Sequence, residues 1–254
     1  MLNKEKIEEE LRKFGINPPK IVFYEETDST NTRAKEYARS AESKETVVFI
    51  ANSQTAGRGR LGRSFVSERG GGIYMSILTY PEENGFDATA ATARAAVCLA
   101  RATEAVCGCK TEIKWVNDIY LGGRKLAGIL TEGKMTSDGE IAYQVVGMGI
   151  NVYKKAISDE IKDIATSIED ELGNAVDRSM LAARMIYEMM SEQRDVYTEY
   201  KSRSMVIGKR VAVIKGDESF EATVSRLNPD FSLLLNRDGQ EERLFTGEIS
   251  LKMV

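Results

Sequence analysis

Residues 47–79 read VVFIANSQTAGRGRLGRSFVSERGGGIYMSILT, and what flanks the glycine–arginine loop inside this stretch decides the fold. Val47–Ala51 is a β-branched and aromatic run suited to a buried strand, and Ile73–Thr79 is another. Between them Gly57, Gly59 and Gly62 make a formal G-x-G-x-x-G match. In a dinucleotide-binding fold that motif turns a strand directly into a helix whose amino terminus holds a pyrophosphate. Here the chain runs through Arg63-Ser64-Phe65-Val66-Ser67 and Gly70-Gly71-Gly72 into a strand instead. The context argues against a doubly wound parallel sheet and for an α+β architecture.

Working outward, Asn3–Phe14 places Ile7, Leu11 and Phe14 on one helical face, with Gly15 as a stop. Ile21–Tyr24 suits a short strand, and the cap-forming run Thr27-Asp28-Ser29-Thr30-Asn31 starts a helix reaching about Ala41. On the other side, Asp87 caps an alanine-rich helix ending near Gly108. Ile113–Trp115 and Leu126–Glu132 are expected as strands joined by a turn at Gly122-Gly123, and Ile141–Val152 as a strand pair. Asp177 to about Lys201 is expected as one long helix. From Gly208 the pattern changes to short strands: Arg210–Ile214, Phe220–Leu227, Phe231–Leu235, Glu242–Phe245 and Ile249–Met253. Gly216-Asp217, Asn228-Pro229-Asp230 and Asp238-Gly239 supply their turns. Two domains are expected: residues 1–204, a mixed sheet flanked by helices, and residues 205–254, a small β-barrel.

Composition excludes several chemistries. There is no histidine, so Ser-His-Asp and Cys-His hydrolysis and the histidine metalloprotease motifs are out. Catalysis must draw on positioning, charge, carboxylates or lysine. The net charge of −4 lacks the basic footprint of a nucleic-acid binder. Cys98, Cys107 and Cys109 lack the partners of a zinc site. The charged amino terminus, MLNKEKIEEELRKFG, is not a secretory signal, and no apolar run reaches membrane-spanning length. The chain reads as cytoplasmic.

Three segments carry chemistry. In Gln54–Arg63, glycines allow close backbone approach while Arg58, Arg60 and Arg63 offer forked donors to a carboxylate or phosphate. Such a loop either folds over an anionic ligand or simply stays exposed and soluble. Lys114-Trp115-Val116-Asn117-Asp118 supplies an amide and a carboxylate suited to a ribose, a triphosphate or Mg²⁺, or else a plain turn. Arg124-Lys125-Leu126-Ala127-Gly128-Ile129-Leu130 sets Lys125 where a turn enters an apolar strand, as a held ammonium or a solvated strand end. Trp115, the only tryptophan, reads as a core residue.

Taken in order, Thr27–Asn31, Gln54–Arg63, Lys114–Asp118, Arg124–Leu130 and Gly147–Asn151 resemble the biotin–protein ligase family. The carboxy-terminal barrel agrees with it. The resemblance implies a catalytic domain like that of class II aminoacyl-tRNA synthetases, followed by an SH3-like barrel. It implies ATP and biotin as substrates, Mg²⁺, biotinyl-5′-AMP as intermediate and a biotin carboxyl carrier protein or domain as acceptor. By the same resemblance, Ser29, Thr30 and Asn31 line the biotin pocket and Gln54 reaches the ureido ring. Arg58, Gly59 and Arg60 belong to a loop closing over biotin and the adenylate, and Lys125 contacts the biotin carboxylate and activated phosphate. Arg58, Arg60, Arg63, Phe65, Asn117, Lys125 and Asn151 are implied on the ATP side. Arg60, Lys125 and Asp118 are the implied catalytic set, with Asp118 also the candidate for the metal. Gly71, Gly72 and Gly128 would leave room for the biotin tail. Val116 departs from the family's usual proline, and Phe65 from a frequent tryptophan, which weakens or moves adenine stacking. The roughly twenty residues before the first strand are too few for the helix-turn-helix domain of bifunctional members, so a stand-alone form without DNA binding is expected. A homodimer through an exposed sheet is compatible with the family. A lipoate-type acyl-adenylate ligase and a non-catalytic biotin or nucleotide sensor are the competing readings.

Overall fold

A computed structural model of the chain describes residues 2–81, 87–137, 141–174, 176–191, 195–215, 218–245 and 249–253. Its larger part is a seven-stranded sheet in the order β1-β2-β3-β7-β6-β5-β4. The strands are β1 (Lys20–Tyr24), β2 (Val47–Ala51), β3 (Gly72–Thr79), β4 (Glu112–Lys114), β5 (Asp118–Leu121), β6 (Arg124–Met135) and β7 (Ile141–Asn151). β1 and β2 run parallel and every other pairing is antiparallel, so the sheet is mixed, as expected.

The run at Val47–Ala51 is apolar throughout because β2 is covered on both faces. Val48 and Ile50 join the core formed with α1 (Lys4–Lys13), α3 (Ala88–Cys107) and α5 (Arg178–Met190). Val47 and Phe49 point the other way, onto Ala34 of α2 (Thr30–Ser40). Alternate residues of one strand thus serve two cores, as the two-residue period of a strand requires. The small side chains of α3 let it lie close on the sheet, with Ala93, Ala95, Ala96, Ala100 and Ala102 buried. Asp87 accepts from the Thr89 and Ala90 amides at its start, and Gly108 ends it at φ 67°.

Three expectations for this larger part need correction. Ile141–Asn151 is one strand: Gly147 and Gly149 do not break it, because it is paired on both sides, Met148 facing Met75 and Ile129. The Gly122-Gly123 turn joins β5 to β6, while Trp115–Asn117 turns β4 into β5, so a short extra strand lies between the two expected ones. The long helix expected from Asp177 is two helices, α5 and α6 (Val196–Arg203). Ser191 is extended, and Asp195, at φ 48°, starts the second helix by accepting from the Thr198 amide. A run of polar residues, Ser191 to Asp195, was the available sign.

The carboxy-terminal part is a five-stranded antiparallel sheet in the order β11-β10-β9-β8-β12. Its strands are β8 (Arg210–Lys215), β9 (Glu218–Leu227), β10 (Leu233–Arg237), β11 (Gln240–Leu244) and β12 (Ile249–Met253). Asp238 and Gly239, at φ 52° and 87°, form the β10–β11 turn that Asp-Gly favours. The expected Gly216-Asp217 turn lies outside the described residues. β10 begins two residues later than expected, because Asn228–Ser232 is a closed turn: Asn228 donates its amide to Ser232 O and Phe231 donates to Asn228 O. Among the described residues no helix is long and apolar enough to cross a membrane.

Candidate active site

The described strands β3, β6 and β7, the start of α2 and the glycine–arginine loop converge on one cavity. It is lined by Ser29, Thr30, Asn31, Gln54, Arg58, Gly59, Arg60, Phe65, Asn117 and Lys125, together with Tyr74, Met75 and Gly128–Leu130 of β6 and Gly147–Gly149 of β7. Arg63, Asp118 and Asn151 do not line it.

At one end the chain builds a polar wall from the α2 start. Ser29 is the N-cap of α2, yet its hydroxyl makes no capping bond, and the residue lines the cavity. The Thr30 amide and hydroxyl both donate to Gln54 Oε1, at 2.9 and 3.2 Å. Gln54 Nε2 in turn donates to Ser67 Oγ at 2.9 Å, which orients the amide. Ser76 Oγ lies 2.7 Å from Thr30 Oγ1 and 2.5 Å from Asn31 Oδ1. Asn31 Nδ2 donates to Leu130 O and to Glu132 Oε2. A buried polar group without a partner is costly, so this interlocked set fixes its members in place.

Glu132 is the hub that sequence reasoning missed. Its carboxylate receives Asn31 Nδ2 at 2.8 Å, Lys35 Nζ at 2.7 Å and Arg58 Nη2 at 3.3 Å. Burial alone would raise this carboxyl, but the hydrogen bonds from Lys35 and Asn31, with the charges of Lys35 and Arg58, hold it below the usual glutamate value. Its one sequence sign was an acid at the end of an apolar strand. Gly147 was legible only as part of a matched segment, and it has a steric reason: a Cβ there would meet Asn31 Oδ1 at 2.2 Å.

The glycine–arginine loop is folded rather than trailing. Phe65 donates its amide to Gly57 O, Gly59 donates to Arg63 O, and Arg58 bridges Ser64, so residues 57–65 form a small hairpin. Gly57 is required because a Cβ would stand 2.3 Å from Phe65 O. Leu61 and Gly62, at φ 56° and 73°, make its tip. Inside the hairpin Arg60 Nη1 donates to Asn117 Oδ1 at 2.8 Å. Burial lowers the Arg60 pKa and Asp118 opposes that, so this is a desolvated cation beside a single acid.

Asn117 and Lys125 complete the charged end. Asn117 Nδ2 donates to Asp118 Oδ1 at 2.9 Å and to Ile129 O at 3.2 Å. Lys125 Nζ pairs with the same Asp118 Oδ1 at 2.7 Å, so Asp118 holds the lysine at the cavity wall from behind. Burial also lowers the pKa of Lys114, which faces Asp118 across β4 and β5. This end of the site thus gathers Arg60, Lys125 and Lys114 around Asp118. Lys125 and Asn117 both meet Asp118 at Oδ1, and the described residues contain no group of three acidic or thiol side chains fit to hold a metal. The donor set suits Mg²⁺ only if most ligands come with a phosphate chain and water, which is how that ion usually binds.

Other sequence-indicated residues sit elsewhere. Asn151 is buried at the end of β7, its Nδ2 donating to Thr166 O. Gly71 and Gly72 pack against Ala156 and against Ile150 O with the Tyr74 ring, so their missing side chains serve close packing, whereas Gly128 does border the cavity. Phe65 lies with its ring on Gly149 and near Gly128, edge-on to Tyr74 with ring centroids 6.4 Å apart. The cavity left beside that ring is about 60 Å³. That is small beside the several hundred Å³ (about 300 at least) typical of small-molecule sites.

Residues 23–151 match the biotin/lipoate A/B protein ligase family. The bifunctional ligase/repressor BirA of Bacillus spizizenii is 30% identical, the match covering 91% of this chain and 74% of that one. The biotin–[acetyl-CoA-carboxylase] ligase of Mycobacterium tuberculosis is 27% identical, over 98% of this chain and 95% of its own. Among solved structures, a biotin protein ligase from Aquifex aeolicus in complex with biotin and ATP superposes with a TM-score of 0.76 at 26% identity, covering 92% of this chain and 99% of that one.

Proposed function

This chain belongs to the biotin/lipoate A/B protein ligase family and is a biotin ligase within it, and we propose that it activates biotin with ATP and passes it to a lysine of a biotin carboxyl carrier domain. In the first step a biotin carboxylate oxygen attacks the α-phosphorus of ATP, the bond to the β-phosphate oxygen breaks, and pyrophosphate leaves with biotinyl-5′-AMP formed. In the second step a deprotonated carrier lysine attacks the carboxyl carbon of the mixed anhydride, and AMP leaves as the amide forms.

The observation that carries this reading is the polarity of the cavity: an uncharged, hydrogen-bonding wall at one end and a cationic cluster at the other. Ser29, Thr30, Asn31 and Gln54 offer donors and acceptors to a ring urea, a group lipoate lacks. Arg60 and Lys125 meet the carboxylate and the transferring phosphoryl group, where positioned cations in a partly desolvated site stabilise developing charge. Arg58, Gly59 and Arg63 belong to the closing hairpin, which shields the anhydride from water. Asn117 orients Arg60, and Asn151 and Phe65 belong to the nucleotide side. Mg²⁺, were it bound, would enter with the nucleotide and neutralise its phosphates, with Asp118 the carboxylate that would help to hold it. The division into residues 1–204 and 205–254 belongs to the same proposal.

The test is direct. The protein, ATP and biotin, with a biotin carboxyl carrier domain, should raise the carrier's mass by one biotinyl group at its acceptor lysine. An unmodified carrier alongside accumulated biotinyl-5′-AMP would refute the transfer step, and no adenylate at all would refute the reading.

A further inference from the structure

The turn Asn228–Ser232 belongs to the carboxy-terminal sheet and lines no part of the cavity, yet one buried hydrogen bond ties it to the cationic end. Trp115 Nε1 donates to Phe231 O at 2.7 Å across 116 residues of sequence. Phe231 holds φ 61°, a left-handed conformation that a bulky residue adopts only where its surroundings impose it. Here they do. Asp230 Oδ1 accepts from the Ser232 amide and hydroxyl at 3.2 and 2.6 Å. Asn228 Nδ2 donates to Ser232 Oγ at 3.0 Å, and Arg243 Nε reaches the same oxygen at 2.8 Å while pairing with Asp230. The effect of all this bonding is to aim one carbonyl at the indole.

The indole begins the segment that matters. Two residues on, Asn117 accepts from Arg60 and donates to Asp118, which holds Lys125. The segment is pinned at its far side by Ile129, whose amide donates to Asn117 O at 2.9 Å. Its near side is pinned by the Trp115 indole. The Phe231 ring also stands edge-on to Tyr200 and Tyr197 of α6, at 5.5 and 6.1 Å between centroids, and Tyr197 Oη donates to Leu227 O. Tyr200 is fully buried, its hydroxyl has no hydrogen-bond partner among the described residues, and it lies within electrostatic reach of Asp118 and Arg60. Edge-to-face aromatic contacts thus join the barrel turn to α6.

We propose that the Phe231 turn is a positioning element for adenylation, holding Trp115 so that Asn117 presents Arg60, and through Asp118 Lys125, to the reacting phosphate. The inference rests on the ligase reading above. It gives the barrel a part in the first chemical step although none of its residues lines the cavity.

Biotin-dependent ATP–pyrophosphate exchange in the full chain tests it, with Trp115→Phe as the main variant. That change keeps a ring and removes the one donor. Turnover is expected to fall about tenfold, because Asn117 and Arg60 lose their fixed position against the reacting phosphate. Biotin affinity, measured by calorimetry, should stay within about twofold, since the polar wall is untouched. Adding Asn117→Ala to Trp115→Phe should cost little beyond Asn117→Ala alone, because both act through the same side chain. Wild-type turnover in Trp115→Phe, or fully multiplicative losses in the double variant, would overturn the proposal. Should Trp115→Phe fail to melt cooperatively, Asp230→Ala loosens the turn from its exposed side. It is expected to slow exchange severalfold and shift the emission of the sole tryptophan to longer wavelength, and no change in either would overturn the proposal. Absence of exchange in the unmodified protein would instead sink the ligase reading, while the Asp230→Ala emission still decides whether the turn holds the indole.

Discussion

At the scale of single residues, the site divides into groups that act and groups that hold them. Arg60 and Lys125 border the cavity, while Asp118 and Asn117 hold them there through 2.7 and 2.8 Å contacts. Replacing either cation by alanine should slow adenylation by about 100- to 1000-fold, the scale of losing one charge-stabilising donor, as read by pyrophosphate exchange. An unchanged rate would remove that residue from the chemistry. Gly147→Ala places a methyl 2.2 Å from Asn31 Oδ1, and Asn31 is tied to Ser76, Leu130 O and Glu132. Overpacking of this kind costs about 1–3 kcal/mol, so a lower melting temperature and weaker biotin binding are expected together. Glu132 sets a pH limit. Its folded pKa is depressed, so its contribution is fully present above the unfolded value of about 4.3 and is lost as pH falls through the folded value. The melting temperature of the wild type should therefore fall more steeply below about pH 4.3 than that of Glu132→Gln. Parallel curves would show that Glu132 contributes no such linkage.

At the scale of elements, legibility followed locality. Caps and stops were readable because they need only neighbours: Asn3 caps α1 through the Lys6 amide, and Asp87 caps α3. The strand at Val47–Ala51 was readable because burial on both faces leaves an unbroken apolar run. The end of α5 at Met190 and the new start at Val196 were harder to see, since both helices keep helical spacing and the polar run Ser191–Asp195 was the one local sign. The hub at Glu132 was hidden because its partners lie 74 to 101 residues away. The glycine–arginine hairpin shows both sides of this. Its glycines and arginines stood out in the sequence, but the contact from Arg60 to Asn117 spans 57 residues and needed the fold. Its tip is exposed, with Leu61 at 58%, and Arg58 and Arg63 beside it are exposed too. Biotin and ATP together should protect Arg58, Arg60 and Arg63 from trypsin as the loop closes. Equal cleavage with and without substrates, followed by mass spectrometry, would contradict closure.

At the scale of the whole molecule, one buried core runs from α1 to the barrel, joining Ile7 and Leu11 to Trp115, Val116, Tyr200, Val213 and Leu235. The α+β architecture was legible from two observations, a glycine-rich loop leading into a strand and a switch to short strands after Gly208. The way the barrel meets the charged cluster was not legible, because it depends on a single carbonyl of Phe231 and one indole nitrogen far apart in sequence. The absence of histidine narrowed catalysis to charge, positioning, carboxylates or lysine, and Arg58, Arg60 and Lys125 do line the cavity. The most direct test is biotin-dependent exchange of pyrophosphate into ATP, with lipoate as the control acid and no carrier present. Exchange with biotin and none with lipoate is the predicted result. A folded protein that exchanges with neither acid, or with lipoate alone, would contradict the account.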